Sequence, residues 1–480
     1  MRLALRELAE KALAIALGLF LLLTLFRGGN TDIAILFALV GTLVVLTLVV
    51  FVAAATRGET LFVNVAGLYF TGALLSLLVI GLLGLVPVTT QTWLALPGRE
   101  IYRMMIAALA QPDFELHQLP LSLDATGTRR ALFVLAPCIA VSIAVPLLTR
   151  RSLLRLLGAF AVLAASEALL GLFQLGFRGA SMLVLDYAGH NRASGTFVNK
   201  NHYATLLAMA LPLLIFRATG QFSFFSKRSE TSALANAWWG VVTAFVAAAL
   251  VASLSRAGVL AGLIVCALAV VACPLRETLR SRKVLFSVLA VAVLAVSLAM
   301  MTGLGTLLRS VTQGGLSDGA STRSLMNSHT LTGIAAFFPV GAGLGSYAVA
   351  FQRFQTPSLL GFVEYAHNDY LQLLFETGLV GVVILILLAA SAAMAGRSLW
   401  RAYDHKELRS PALACYFGAL AFAIHACFDF PAHIPSIAII ATLLFSASMN
   451  PRLSEMGQRR AIDETLTGRK VMRQPHREYA

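Results

Sequence analysis

The sequence predicts an all-α, polytopic membrane protein. Three observations carry that prediction. The chain has 480 residues, of which 58% are hydrophobic and only 12% charged, with a mean hydropathy of +0.80. Soluble domains are nearer about 25% charged. Apolar runs long enough to cross a bilayer, about 20 residues each, recur along the chain. Lys and Arg also alternate between loops, as the positive-inside rule requires.

About twelve segments meet the length criterion: 10–26, 32–55, 61–87, 131–149, 154–176, 203–218, 235–254, 257–275, 284–304, 370–396, 411–430 and 434–449. The first follows a basic start, "MRLALREL", but "FRGGN" after it does not read as a cleavage site, so it reads as a retained anchor. The segments 203–218 and 434–449 are short enough to be partly re-entrant. With the N-terminus in the cytoplasm, 25 of the 37 Lys and Arg fall on the cytoplasmic side. The net charge of +14 is then explained by inner loops, without a nucleic-acid partner. Residues 1–449 read as one membrane domain, and 450–480 as a basic, disordered cytoplasmic tail able to touch anionic membrane lipid.

Three substantial loops, 88–130, 177–202 and 305–369, are left on the outer side. The last is too long for a plain connector. Within it, "RSLMNSHTLTGIAAFF" (323–338) repeats apolar residues at helical spacing, which suggests short helices on the membrane domain. "PVGAGLGSY" (339–347) follows; its glycines at 341, 343 and 345 lack the Lys-Ser/Thr of a phosphate loop and read as turn residues. The five cysteines lie in apolar runs without metal-ligand spacing and read as small core residues. No fixed-period repeat is present.

Four stretches bring polar chemistry to the outer side. "HNRASGTFVNKNHYA" carries Arg192, Asn199, Lys200, Asn201 and His202 before a span. "SLSRAGVLAG" puts Arg256 between two apolar runs with almost no loop. An arginine near membrane depth is expensive without an anion. "EYAHNDYLQLLFETGLVG" places Glu364, His367, Asn368 and Asp369 at the mouth of an apolar helix. Glu364, Asn368 or Asp369 are candidates to orient the His367 ring, and one of Asn368 and Asp369 is expected to cap the helix. "HACFDFPAHIPS" spaces His425, Asp429 and His433 four apart, a helix-end hydrogen-bond network rather than a metal face, with Pro431 interrupting any helix. Glu167 and Glu376, inside apolar runs, are expected to pair with a site arginine or with a neighbouring polar group.

These stretches resemble the O-antigen ligase and O-antigen polymerase superfamily of bacterial membrane glycosyltransferases. The resemblance covers roughly residues 160–395 and rests on "RASGTFVNKNHYATLLAMALPL", "SLSRAGVLAG", "FFPVGAGLGSY" and "EYAHNDYLQLLFETGLVG". Lys200 departs from it, standing where the family often has proline. The resemblance implies a GT-C-like fold in the bacterial inner membrane, with cytoplasmic termini and a periplasmic site. It implies a donor glycan on undecaprenyl diphosphate and a glycan or lipid A-core acceptor. Neither cofactor nor metal is implied. Arg192 and Arg256 would hold the diphosphate and His367 would assist the acceptor hydroxyl. Lys200, Asn201, His202, Glu364, Asn368 and Asp369 are the further candidates for substrate contact. The chemistry agrees: guanidinium groups suit phosphate oxygens, and histidine is the side chain whose pKa lies nearest neutral. The competing class is a secondary transporter of an anionic solute. Transporters place charge near the midplane and show repeats, whereas here the charges gather on one face.

Overall fold

A computed structural model describes residues 64–109, 118–176, 192–225, 232–272, 316–359, 361–401 and 410–453, with a short helix at 11–19 and isolated positions between 41 and 52. The segment 284–304, most of the first two segments and the tail beyond 453 lie outside the described residues.

The described chain is almost wholly helical. Helices long and apolar enough to span are α1 (Val65–Gly84), α4 (Ala125–Ala144, extended by a 3-10 turn to Leu147), α5 (Arg150–Gly176), α7 (Ala233–Ala252) and α11 (Asp369–Arg401). Shorter apolar helices are α8 (Arg256–Ala272), α12 (Ser410–His425) and α13 (Pro435–Ser448). Before α4 comes a small cap: strands β1 (Pro87–Thr89) and β2 (Gln118–Pro120) pair antiparallel, and helices α2 (Thr90–Leu94) and α3 (Glu100–Leu109) lie between them.

The two short segments have a physical explanation. Helix α6 (Lys200–Ala218) is buried along nearly its whole length, packed among α5, α7, α8 and α12, and α13 is likewise enclosed. A helix apolar on every side is at home inside a bundle. Protein rather than lipid surrounds these two, so they need not match the bilayer thickness. By contrast α1 presents Val65, Leu68, Leu75, Val79 and Leu82 outward.

The segment expected at 370–396 is longer and broken. Gly378 has φ 56°, and a Cβ there would sit 2.2 Å from the Pro339 carbonyl oxygen. The glycine-rich turn fills the break. Leu379 N–H donates to Pro339 O (2.9 Å), Ala342 N–H to Phe375 O (3.0 Å) and Gly343 N–H to Glu376 O (2.8 Å). Backbone groups freed inside an apolar helix must find partners, and 339–343 supplies them. Gly341, Gly343 and Gly345 all have positive φ, as expected of turn residues.

Three further expectations are corrected. The long outer loop carries one 22-residue helix, α9 (Leu316–Phe337), rather than short helices over 323–338, because its buried stripe of Met326, Thr330 and Phe337 continues unbroken. After it come a short helix α10 (Tyr347–Ala350) and a 3-10 turn. Helix α4 begins at Ala125, where Asp124 caps two backbone N–H groups, so the first outer loop ends before residue 130. The segment at 411–430 stops being helical at His425, and a 3-10 turn (Pro431–His433) leads into α13.

The helix ends sort onto two faces. On one, Asn64 Nδ2 donates to Met449 O (3.0 Å) and Asn450 Nδ2 to Val145 O (3.0 Å). On the other, Ser122 N–H donates to Gly84 O (2.8 Å), Leu123 N–H to Ala342 O (2.9 Å), Ala193 N–H to Ala252 O (2.9 Å) and Asp369 N–H to Ala426 O (2.9 Å). That second face gathers the described parts of all three outer loops.

Candidate active site

The cationic half of this face is built by two loops stitched together. Lys200 opens α6 and donates from Nζ to Leu254 O (3.0 Å). Ser255 Oγ donates to Asn201 Oδ1 (2.8 Å), so Asn201 ties the loop before α8 to α6. Arg192, Arg256 and Arg323 all lie within electrostatic reach of Lys200. Among the described residues none of these four cations has a carboxylate within salt-bridge distance. Arg256 Nη1 is buried without a hydrogen-bond partner. Burial also lowers the Arg192 pKa.

Glu167 explains how the Arg192 loop is held. Its carboxylate accepts from Thr196 N–H (2.9 Å) and Thr196 Oγ1 (2.8 Å), not from an arginine. Gly195, with φ 57°, lets the backbone pass so close that a Cβ would fall 2.2 Å from Glu167 Oε2. Glu376 does the same work on the other side, accepting from Gly345 N–H (2.7 Å), Tyr347 N–H (3.2 Å) and Gln372 Nε2 (3.1 Å). Both acids are loop clamps with neighbouring polar partners.

The histidine half is a crossed clasp between the segment before α11 and the segment after α12. His367 Nδ1 lies 2.8 Å from Asp429 Oδ1, and His433 Nδ1 lies 3.0 Å from Asp369 Oδ1. Each segment contributes one histidine and one aspartate. Burial alone would raise the Asp429 carboxyl, but the His367 hydrogen bond and the neighbouring imidazoles outweigh it and hold its pKa at about 2. An ionised carboxylate only accepts, so His367 Nδ1 carries the proton of this bond, and the tautomer it selects has its lone pair on Nε2. His433 differs. Its Nδ1 is engaged by Asp369 and its Nε2 by Gln372 Nε2 (2.9 Å), while Ala432 N–H takes Asp369 Oδ2 (2.9 Å).

This corrects the expected orienting group for His367. Glu364 is exposed and interacts with Tyr365; Asn368 accepts from Tyr370 and Leu371 N–H (3.1 and 3.2 Å) and is the helix cap; Asp369 is committed to His433. The ring is oriented instead by Asp429, 62 residues further along. His425, Asp429 and His433 do not share one helical face, and their side chains bond to three different places rather than to one another: Thr205, His367, and Asp369 with Gln372. His425 is fully buried, its Nδ1 2.6 Å from Thr205 Oγ1. His202 is buried too, its ring edge-on to Phe430 at 4.8 Å. The same Phe430 meets the His367 ring at 4.9 Å and stacks on Tyr365 at 4.2 Å, joining the two halves. Among the described residues no group of three or more His, Cys, Asp or Glu could hold a metal ion.

Sequence reasoning missed Arg323, Phe430, Gln372 and the pairing of Asp429. Arg323 heads the helical stripe read at 323–338, which was the available signal. The partner of Asp429 had none, because the pairing joins loops distant in sequence.

The site is thus a membrane-protein face where cations without a carboxylate partner among the described residues meet a carboxylate-backed histidine. Residues 241–386 match the family model described as O-antigen ligase, which supports the O-antigen ligase and polymerase superfamily and its general type of glycan transfer. The match contains Arg256, Arg323 and His367; Arg192, Asp429 and His433 lie outside it. No curated protein matches the chain.

Proposed function

We propose that this face transfers a glycan from undecaprenyl diphosphate to an acceptor sugar hydroxyl, as an O-antigen ligase or an O-antigen or exopolysaccharide polymerase. The observation that carries the reading is the difference between the histidines. His367 is 31% exposed and has Nδ1 held by a charged aspartate, which leaves Nε2 as a base. His433 has both nitrogens engaged, and His425 and His202 are buried. The acceptor O–H gives its proton to His367 Nε2 while its oxygen bonds the anomeric carbon. The bond from that carbon to the diphosphate breaks, and its electron pair leaves on the diphosphate oxygen. Arg256, Arg192 and Lys200 bind that leaving group, within electrostatic reach of one another and without a competing carboxylate among the described residues. Asp369 and Asn368 serve the loop rather than the substrate.

In this reading the fold is GT-C-like, with about twelve spans in the bacterial inner membrane and the site facing the periplasm. The acceptor is a glycan or lipid A core. Cysteine accessibility at Ser317, in a background lacking the natural cysteines, tests the orientation: periplasmic labelling is expected, and cytoplasmic labelling would invert it. The cations carry the phosphate charge, so activity should survive strong chelation; loss on EDTA with rescue by Mg²⁺ would refute that part.

The central test is transfer activity beside donor crosslinking. His367→Ala should abolish transfer and leave donor crosslinking largely intact. Arg256→Lys should lose about 10²–10³ in rate, since one ammonium does not reproduce the guanidinium fork. Near-normal transfer by His367→Ala would end this assignment.

A further inference from the structure

The ring of His367 is aimed by more than Asp429. Among the described residues two non-glycine residues have positive φ, Leu254 at 54° and His367 at 51°, and both lie in the loops of the site. Side chains other than glycine seldom adopt this left-handed conformation, and it persists where the surroundings hold it. For His367 those surroundings can be named. On its C-terminal side, Asp369 N–H donates to Ala426 O (2.9 Å). On its N-terminal side, Ala366 N–H donates to Gln372 Oε1 (3.0 Å). The first bond joins backbone to backbone. The second depends on one side chain.

Gln372 lies in the first turn of α11 and is buried. Its amide orientation is fixed by partners of known role. Ala366 N–H only donates, so it faces the oxygen. The Glu376 carboxylate, which also accepts from Gly345 and Tyr347 N–H, faces the nitrogen at 3.1 Å. The same nitrogen lies 2.9 Å from His433 Nε2. One buried amide thereby ties the turn at His367 to the Glu376 clamp and to the second clasp. Turned over, it would set nitrogen against the Ala366 N–H and oxygen against the carboxylate, and both bonds would be lost. The transfer step as described makes no use of it. Yet a hydrogen bond to Nδ1 sets only how the ring is rotated; where the ring starts from is set by the backbone at residue 367.

Resting on the transfer reading above, we propose that Gln372 is a positioning residue for His367. Its carbonyl oxygen holds the left-handed turn from which the ring is presented, and Asp429 then sets the rotation of the ring. The base is placed by two anchors, one on the backbone and one on the imidazole. Nε2 meets the acceptor hydroxyl when both are in place.

Transfer rate, acceptor KM and donor crosslinking, measured on the full-length protein in membranes, test this. Gln372→Met keeps the side-chain length and removes the amide. It should lower kcat about 10²-fold, the scale of a small misplacement at a reacting centre. Acceptor KM and donor crosslinking should stay within about twofold of wild type. Gln372→Glu returns an oxygen to Ala366 N–H, and its carboxyl can share a proton with Glu376; it should recover at least about tenfold of the lost rate. Because Gln372 and Asp429 act through one ring, Gln372→Met added to Asp429→Asn should lower the rate no more than about threefold below Asp429→Asn alone. A kcat near wild type in Gln372→Met, or losses that multiply in the double variant, would overturn the positioning role. So would donor crosslinking that falls in step with the rate, the mark of a general packing defect. If Gln372→Met does not fold, Gln372→Asn, which draws the oxygen back by one methylene, takes its place under the same criteria. His367→Ala separates the two readings. Inactive beside a fully active Gln372→Met, it removes this inference and leaves the transfer reading standing; near-normal itself, it ends both.

Discussion

The two halves of the site treat charge in opposite ways. In the cationic half, Arg192, Lys200, Arg256 and Arg323 gather with no carboxylate among the described residues to balance them. In the histidine half, each clasp histidine has its own aspartate, His367 with Asp429 and His433 with Asp369. Clustered like charges repel, and buried ones also lose hydration. Such a cluster beside a histidine–aspartate network is what the proposed binding of an external anion would use. In the other half the aspartates set ring orientation. In the proposed reading the first half takes the ligand and the second is prepared in advance.

The largest expected effect breaks the paired half at its charged member. Asp429→Asn keeps the side-chain shape but removes the charge that fixes the proton on His367 Nδ1. Transfer should fall about 10²–10³-fold, within the range general-base catalysis supplies. Donor binding should change little, because the cationic half is untouched. A variant that binds donor poorly but reacts normally once saturated would show that the two halves are not divided as described.

Next in size is the Glu376 clamp. Glu376→Ala would leave Gly345 N–H, Tyr347 N–H and Gln372 Nε2 without their acceptor. Unpaired buried donors cost roughly 1–3 kcal/mol each, so denaturation should show a loss of several kcal/mol at most, spread over the turn that fills the Gly378 break. A stability unchanged from wild type would mean those donors find other partners.

The two clasps should also respond to pH with opposite sign. Asp429 is held at about 2, below its ordinary value of 3.8. Its contribution to stability is therefore full above about pH 4 and lost as pH falls toward 2. For His433, burial lowers proton affinity but the Asp369 bond and nearby carboxylates raise it more, so the net shift is upward. Its contribution is full below about 6.5 and is lost as pH rises through the raised value. Melting curves across pH should show the penalty of Asp429→Asn vanishing in acid and that of His433→Gln shrinking in alkali. Parallel curves would refute the contrast.

Much of this was legible in the chain. The five long apolar helices announce themselves by hydropathy, Arg256 stands out as a charge between apolar runs, and Arg192 and His367 stand out in polar stretches before apolar ones. The break at Gly378 was not legible: one glycine in an apolar run reads as a tolerated helix residue until the Pro339 carbonyl is seen against it. The pairing of His367 with Asp429 was hidden for another reason. Asp369, two residues away, looked the better partner, yet helix α11 begins there and turns its carboxylate toward His433 and Ala432. Local spacing predicts local partners, and this site is closed by loops that meet only in the fold.

The smallest expected effect concerns Asn368, whose described hydrogen bonds are local. Its side-chain oxygen accepts from Tyr370 and Leu371 N–H, satisfying two of the donors that every helix start leaves open. If that is its work, Asn368→Ala should cost about 1 kcal/mol of stability, and Asn368→Ser, which keeps a capping oxygen, should cost less. Both variants should transfer glycan at nearly the wild-type rate, because the Asp429 bond to His367 does not pass through residue 368. A substrate contact predicts the reverse order: unchanged melting, with a raised KM for acceptor in both. Measuring melting and acceptor KM on the same two preparations separates the cap from the contact. It also shows whether the paired half of the site is closed to substrate everywhere except at His367 Nε2.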